Sequence, residues 1–170
     1  MLATLRTAAT FGIEAYPIDV EVDVSDGGLR AVTMVGLPDA SVRESRERVQ
    51  SAVRNSGFEF PQRRITVNLS PADIRKIAGA FGLPIALGIL AATGLLPRRH
   101  LDDTLVLGEL SFDGTVRAVR GTLPIAALAQ RDGVRSMVLP AANAIADLAH
   151  AERTAVEHVA EAVQFRLEAT

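Results

Sequence analysis

Few residues in this chain combine a reactive group with a useful neighbour. Ser70 and Lys76 lie six apart, and a lysine with a lowered pKa can act as base to a serine hydroxyl. The string Ser70-Pro71-Ala72-Asp73, however, has the composition of a turn or cap, which gives Ser70 an ordinary structural use. Glycine-bearing segments invite a phosphate-loop reading. Such a loop needs G-x-x-x-x-G-K-[ST], so that backbone N–H groups cradle phosphate, the lysine reaches it and the hydroxyl holds magnesium. Gly79 and Gly82 are followed by no Lys-Ser or Lys-Thr, and no G-x-G-x-x-G is present, so this chain is not expected to hydrolyse ATP. Asp19, Glu21 and Asp23 alternate with valines and read as the wet face of a strand, and Asp102-Asp103 beside His100 reads as a surface loop. Cysteine is absent and the three histidines (His100, His150, His158) are far apart, which excludes thiolate zinc sites and disfavours a histidine cluster. No catalytic and no metal-ligating residue is assigned.

The remaining signal is electrostatic. Between Ser41 and Lys76 stand Arg43, Arg46, Arg48, Arg54, Arg63, Arg64, Arg75 and Lys76, against Glu44, Glu47, Glu59 and Asp73. Eight bases minus four acids make this segment +4 in a chain of formal charge −2. A patch of that sign attracts phosphate backbones by releasing their counterions. Arg43, Arg46, Arg63, Arg64 and Lys76 are the candidate nucleic-acid contacts. A solvated, self-paired helix would account for part of the same pattern, since Arg43 with Glu47 and Glu44 with Arg48 stand at i, i+4. Few aromatic residues are interleaved, so base stacking has little support.

The elements that must position these residues follow from periodicity. Leu2 to Thr10 reads as a strand, and Ile18, Val20, Val22 and Val24 alternate strictly with acids. The turn cluster Ser25-Asp26-Gly27-Gly28 leads to Ala31–Val35, which suggests a hairpin. Asp39 or Ser41 can cap a helix reaching Ser56, with Gly57 as its stop and Val42, Val49 and Val53 on its inner face. Arg64 to Leu69 is a strand, and Leu83 to Thr93 a buried helix. Ile77 to Leu96 has the length of a membrane span, but five breakers (Gly79, Gly82, Pro84, Gly88, Gly94) favour a soluble core helix. Thr104–Phe112 and Thr115–Val119 flank Asp113-Gly114 as a second hairpin. A helix over Leu123–Arg131, a strand over Ser136–Leu139, a helix over Asn143–Ala149, a brief strand at Ala155–Val156 and a helix over Ala160–Glu168 complete the pattern. At 170 residues, 48% apolar and 22% charged, this is one globular unit, residues 1–170, of α/β (α+β) class. The N-terminus carries no secretory pattern, and a cytoplasmic location without membrane contact is expected.

Particular strings resemble a known family: Phe11-Gly12-Ile13-Glu14-Ala15, Val35-Gly36-Leu37-Pro38-Asp39, Asn55-Ser56-Gly57-Phe58-Glu59-Phe60-Pro61 and Arg64-Ile65-Thr66-Val67-Asn68-Leu69-Ser70-Pro71-Ala72-Asp73. Leu83-Pro84-Ile85-Ala86-Leu87, Gly108-Glu109-Leu110 and Val119-Arg120-Gly121 follow in the same order. Together they resemble the N-terminal domain of the magnesium-chelatase-like AAA+ ATPases of the ComM and YifB type, a domain that looks like the Lon proteolytic domain. The resemblance implies a two-layer mixed sheet with packed helices and a βαβ crossover of unusual hand. It also implies a downstream AAA+ module, outside this chain, that would hold ATP and magnesium; no cofactor is expected here. Carried over from the Lon pattern, the nucleophile position falls at Gly79 or Ala80 and the base near Leu123, and neither carries the reactive group. Lys76 matches the pattern's non-catalytic lysine. Around this loop the relatives carry a Glu and an Asp where Ile77 and Gly82 stand here.

The implied function is that of a non-catalytic domain in a hexameric DNA motor that promotes branch migration during transformation and recombination. Its partners would be DNA, its own AAA+ module and further copies of itself in a ring. The alternatives are an assembly module that never touches DNA, and a residual hydrolase using Ser70 and Lys76.

Overall fold

The computed structural model of the chain describes residues 1–27, 29–74, 76 and 79–143. Two long strands, β1 (Leu2–Phe11) and β2 (Glu14–Ser25), form an antiparallel hairpin with partners running from Leu2↔Asp23 to Phe11↔Glu14. β3 (Val32–Val35) leads into α1 (Ala40–Asn55), which returns to β4 (Arg64–Ser70). After a short 3-10 turn, α2 (Gly82–Ala92) crosses the sheet to β5 (Thr104–Val106). A small ribbon of β6 (Glu109–Leu110) and β7 (Val116–Arg117), then α3 (Thr122–Arg131) and β8 (Ser136–Val138), complete the described elements. The main sheet has six strands in the order β3-β4-β2-β1-β5-β8. β2 pairs antiparallel with both β1 and β4, whereas β3 joins β4, β5 joins β1 and β8 joins β5 in parallel. This is the mixed α/β class that the periodicity and the resemblance lead one to expect.

The alternation in β2 and β4 sets the layers. Ile18, Val20, Val22 and Val24, with Ile65, Val67 and Leu69, are all buried and share one core with Val42, Val49, Ala52 and Val53 of α1 and most of α2. Asp19, Glu21 and Asp23 lie on the other side, where Asn68 Nδ2 donates to Glu21 Oε2 at 2.6 Å. α3 packs on a second, smaller cluster with Ala8, Leu105 and Leu107 and lies against β1 and β2, so a third layer forms over part of the sheet.

α2 is the most buried of the described helices. Gly88 is what lets it settle, because a Cβ there would stand 2.6 Å from Val22 Cγ2 and 3.1 Å from Leu5 Cδ1. Gly88, one of the breakers that argue against a membrane span, thus has a packing use. Among the described residues no helix is long and apolar enough to cross a membrane.

Two expectations need correction. β2 and β3 do not pair: β4 lies between them, matched to β2 over seven positions from Asp19↔Ser70 to Ser25↔Arg64. The longer antiparallel ladder outcompetes the short β3, which runs parallel to β4 through the α1 crossover instead. The strand expected over Thr104–Phe112 breaks at Gly108. A Cβ at that position would meet Val116 Cγ1 at 2.7 Å and Leu83 Cδ2 at 2.9 Å, so the backbone passes close to α2 before turning into the ribbon. The Asp113-Gly114 hairpin does form, between β6 and β7, although its ladder holds only Glu109↔Arg117 and Leu110↔Val116. Asp113 Oδ1 accepts the Thr115 N–H at 2.9 Å, which lowers the carboxyl pKa. Of the elements expected beyond Leu139, Asn143 is described, and its side chain brackets Val119 by accepting its N–H at 2.9 Å and donating to its carbonyl at 2.7 Å. The strand at Ala155–Val156, the helix over Ala160–Glu168 and the rest of the Asn143–Ala149 helix lie outside the described residues.

Gly88→Ala is expected to lower unfolding stability by about 1–3 kcal/mol through overpacking. Gly27→Ala, which meets open space, should stay within about 0.5 kcal/mol. Urea midpoints of the two variants measured side by side check the comparison.

Candidate nucleic-acid interface

Lys76, the chain's only lysine, is fully buried. Its backbone is held between two partners: its N–H donates to the Leu37 carbonyl at 3.4 Å and its carbonyl accepts from Asp39 N–H at 3.2 Å. The ammonium donates to the Pro71 carbonyl. Loss of water around the group lowers its pKa from the ordinary lysine value, with the Asp73 carboxylate opposing the shift. Lys76 therefore has no surface to offer a phosphate backbone, and the expected contact is withdrawn on burial grounds. Among the described residues no hydrogen bond joins it to Ser70, so the pair is not assembled as a dyad. Nothing in the alternation of the sequence marked this lysine as internal.

The same loop crossing positions α1. Leu37 takes a positive φ of 53°, and Gly36 at φ 89° passes so close to β4 that a Cβ would stand 2.0 Å from the Leu69 carbonyl oxygen. Asp39 follows as N-cap, its Oδ1 accepting from Val42 N–H and from Ser41 Oγ, both at 2.8 Å. Ser56 caps the other end and Gly57 at φ 86° ends the helix, as its sequence suggests.

On this frame Arg43 and Arg46 are exposed along α1, and Arg63 and Arg64 are exposed at the start of β4. Arg46 and Arg63 meet at a cavity of about 300 Å³ between α1 and the segment before β3. Arg64 is not with them: next to the inward-facing Ile65, it projects from the acid-bearing side of the sheet. The helix pairs also differ from expectation. Glu47 accepts from Nε and Nη2 of Arg46, at 3.1 and 2.9 Å, rather than from Arg43. Arg63 Nε lies 3.0 Å from Asp26 Oδ1. Both pairs are solvent-exposed and hold their charges only loosely. A third cavity arginine, Arg30, lies outside the basic segment counted from the sequence. Its signal, one arginine in a turn of small and polar residues, was too slight to single out.

The positions inherited from the Lon pattern sit apart from this cavity. Gly79 and Ala80 form the 3-10 turn before α2, where the Ala80 carbonyl accepts from Gly108 N–H at 3.3 Å. Leu123 is exposed in the first turn of α3. Neither place carries a hydroxyl or an amine.

Fold and sequence together define the class as a mixed α/β domain of the kind shared with Lon proteases. The chain is 32% identical over 126 residues to the Lon protease of Chloroflexus aurantiacus, a match spanning 69% of this chain and 15% of that protein. More specifically, the chain belongs to the family described as subunit ChlI of magnesium chelatase, which matches residues 20–143. It is 45% identical over 143 residues to YifB of Salmonella typhimurium and 42% identical over 143 residues to the competence protein ComM of Haemophilus influenzae. Each of those matches takes in 84% of this chain but 28% of the relative, so the chain spans little more than a quarter of their length.

The Lys76 shift carries a sign. Its folded pKa lies below the ordinary lysine value, so the unfolded chain binds more protons between the two and stability rises with pH across that window. The desolvation cost is present in full below the folded-state pKa and gone above roughly pH 10.4. Lys76→Met is expected to flatten this rise, while Lys76→Ala lowers stability at pH 7 by about 2–4 kcal/mol through the cavity and the lost hydrogen bond. Urea unfolding at a series of pH values from 7 upward measures both.

Proposed function

We propose that this chain is a non-catalytic domain of a ComM-like AAA+ ATPase, positioned N-terminal to the motor, which acts in a ring of copies on DNA during transformation and recombination. Family membership, the competence-protein relative and the span of a quarter of its length support the parentage. The absence from the sequence of a phosphate loop and of reactive groups at Gly79, Ala80 and Leu123 supports a role in holding rather than cutting. The domain docks DNA through phosphate contacts from Arg43, Arg46 and Arg63, with Arg64 apart from them on the acid-bearing face and Lys76 acting as an internal brace. The single observation that carries this reading is the convergence of Arg46 and Arg63, from separate elements, on one open cavity.

A second reading has its own support. Phe11 and Ile13 at the β1–β2 tip are 74% and 92% exposed, and that tip adjoins the start of α3, where Leu123 is 64% exposed. An apolar end of this kind suits packing against a neighbouring domain in a ring, with no DNA contact.

A salt series of DNA binding by fluorescence anisotropy separates the two. Replacing Arg46 or Arg63 by Gln is expected to weaken binding irrespective of sequence and to reduce the log–log salt slope by about 1 per lost phosphate contact. An unchanged slope in both variants, or no binding at low salt together with failed oligomerisation of a Phe11→Ser/Ile13→Ser parent protein, favours the assembly reading.

A further inference from the structure

The cavity beside α1 contains a charge arrangement that the surface pairs do not neutralise. Oriented to satisfy its neighbours, the Gln50 amide turns its oxygen to Nη2 of both Arg30 and Arg54, each at 3.1 Å. Two guanidiniums thus share one neutral acceptor. Among the described residues no carboxylate lies within ion-pair distance of either. Arg46 and Arg63 close the same cavity from the helix and from the turn before β4, and among the described residues Glu47 is its one acidic wall. Three guanidiniums, those of Arg30, Arg46 and Arg63, against Glu47 leave a local excess of positive charge even when Asp26 is counted with Arg63. Such a gathering of like charges is unfavourable in the empty state and is relieved by an anion with several acceptor oxygens, which planar guanidiniums bind in paired hydrogen bonds. Phe60, buried beneath, gives the cavity an apolar floor against which a sugar edge can rest.

We infer that this cavity is a phosphate-binding site, with Arg30 as the ligand that Gln50 holds in place, Arg46 and Arg63 as its rim, and Arg54 outside the lining as the second guanidinium on Gln50. The ligand class is a phosphate ester, either a terminal monoester or a backbone diester of a nucleic acid. The choice of nucleic acid as the source rests on the function proposed above; the site itself does not.

The test uses the 170-residue chain and three probes: inorganic phosphate, a single-stranded oligonucleotide with a 5′-phosphate and the same oligonucleotide with a 5′-hydroxyl. Amide resonances of Ala31, Val32 and Gln50 should shift with phosphate and saturate. Arg30→Gln and, independently, Arg46→Gln should each weaken that binding about 10-fold or more, with Arg30→Lys recovering part of it. Both arginines are exposed, so each variant should keep the parent's thermal midpoint, and either one alone suffices to decide. A preference for the 5′-phosphorylated strand that Arg30→Gln removes assigns a terminal phosphate. Equal binding of both strands, weakened equally by Arg30→Gln, assigns the backbone. Saturable phosphate binding with no affinity for either strand keeps the site and overturns the nucleic-acid reading. Shifts that never saturate, or that persist unchanged in both Gln variants while Arg43→Gln still weakens DNA binding, overturn the site and leave that reading standing.

Discussion

The placement of α1 depends on a crossing of two loops held together by Lys76. Its backbone bridges Leu37 and Asp39, and its ammonium reaches across to Pro71, so the end of β4 and the turn after β3 are tied at one point. Asp39 is at once a partner of that bridge and the N-cap of α1. The direction in which the helix leaves the sheet, and so the place where Arg46 meets Arg63, follows from this tie. An ammonium buried with one carbonyl partner is a poor source of net stability, because desolvation consumes most of what the hydrogen bond contributes. Its value here is geometric. It joins segments that the hydrophobic core alone would leave free to slide.

Electrostatics then divides the sheet into two unlike sides. Asp19, Glu21 and Asp23 give the open side a negative stripe that Asn68 partly binds, while the helical side gathers arginines from α1, from the start of β4 and from the turn before β3. A chain of net charge −2 can in this way present a strongly positive locality without being basic overall. The acids are kept away from the cavity by strand alternation, and only Glu47 and Asp26 approach it. The apolar β1–β2 tip lies at a different part of the surface, so a phosphate contact and a packing contact can coexist in one domain.

Much of the fold was legible. The strict alternation of β2 and β4, the Asp39 and Gly57 ends of α1 and the glycine-broken apolar run of α2 each have a local physical cause that acts within a few residues. The failures share a different cause. Whether Val32–Val35 would pair with β2 or with β4 is a competition between ladders distant in sequence, and seven pairs outweigh what a tight turn offers. The break at Gly108 answers Leu83 and Val116, neither of which is its neighbour in the chain. For the site, the positive segment was readable as a sum of charges, but its members' directions were not. Arg64 sits one residue from Arg63 and faces the other way because Ile65 must face the core.

What the amino-acid order determined unaided was therefore composition and period: an α/β chain without thiol chemistry or a phosphate loop, with arginines gathered around one helix and one strand. Family strings along that order carried the parentage as well, since they are matched residue by residue and need no coordinates. Tertiary structure alone decided that Lys76 is a brace inside the molecule, that Arg30 joins arginines from more than fifteen positions away, and that Gln50 ties Arg30, at a cavity, to Arg54 outside it. The physical reason is that burial and charge convergence are properties of through-space distance. Local periodicity governs which face of an element is apolar, but not which element comes to lie opposite it.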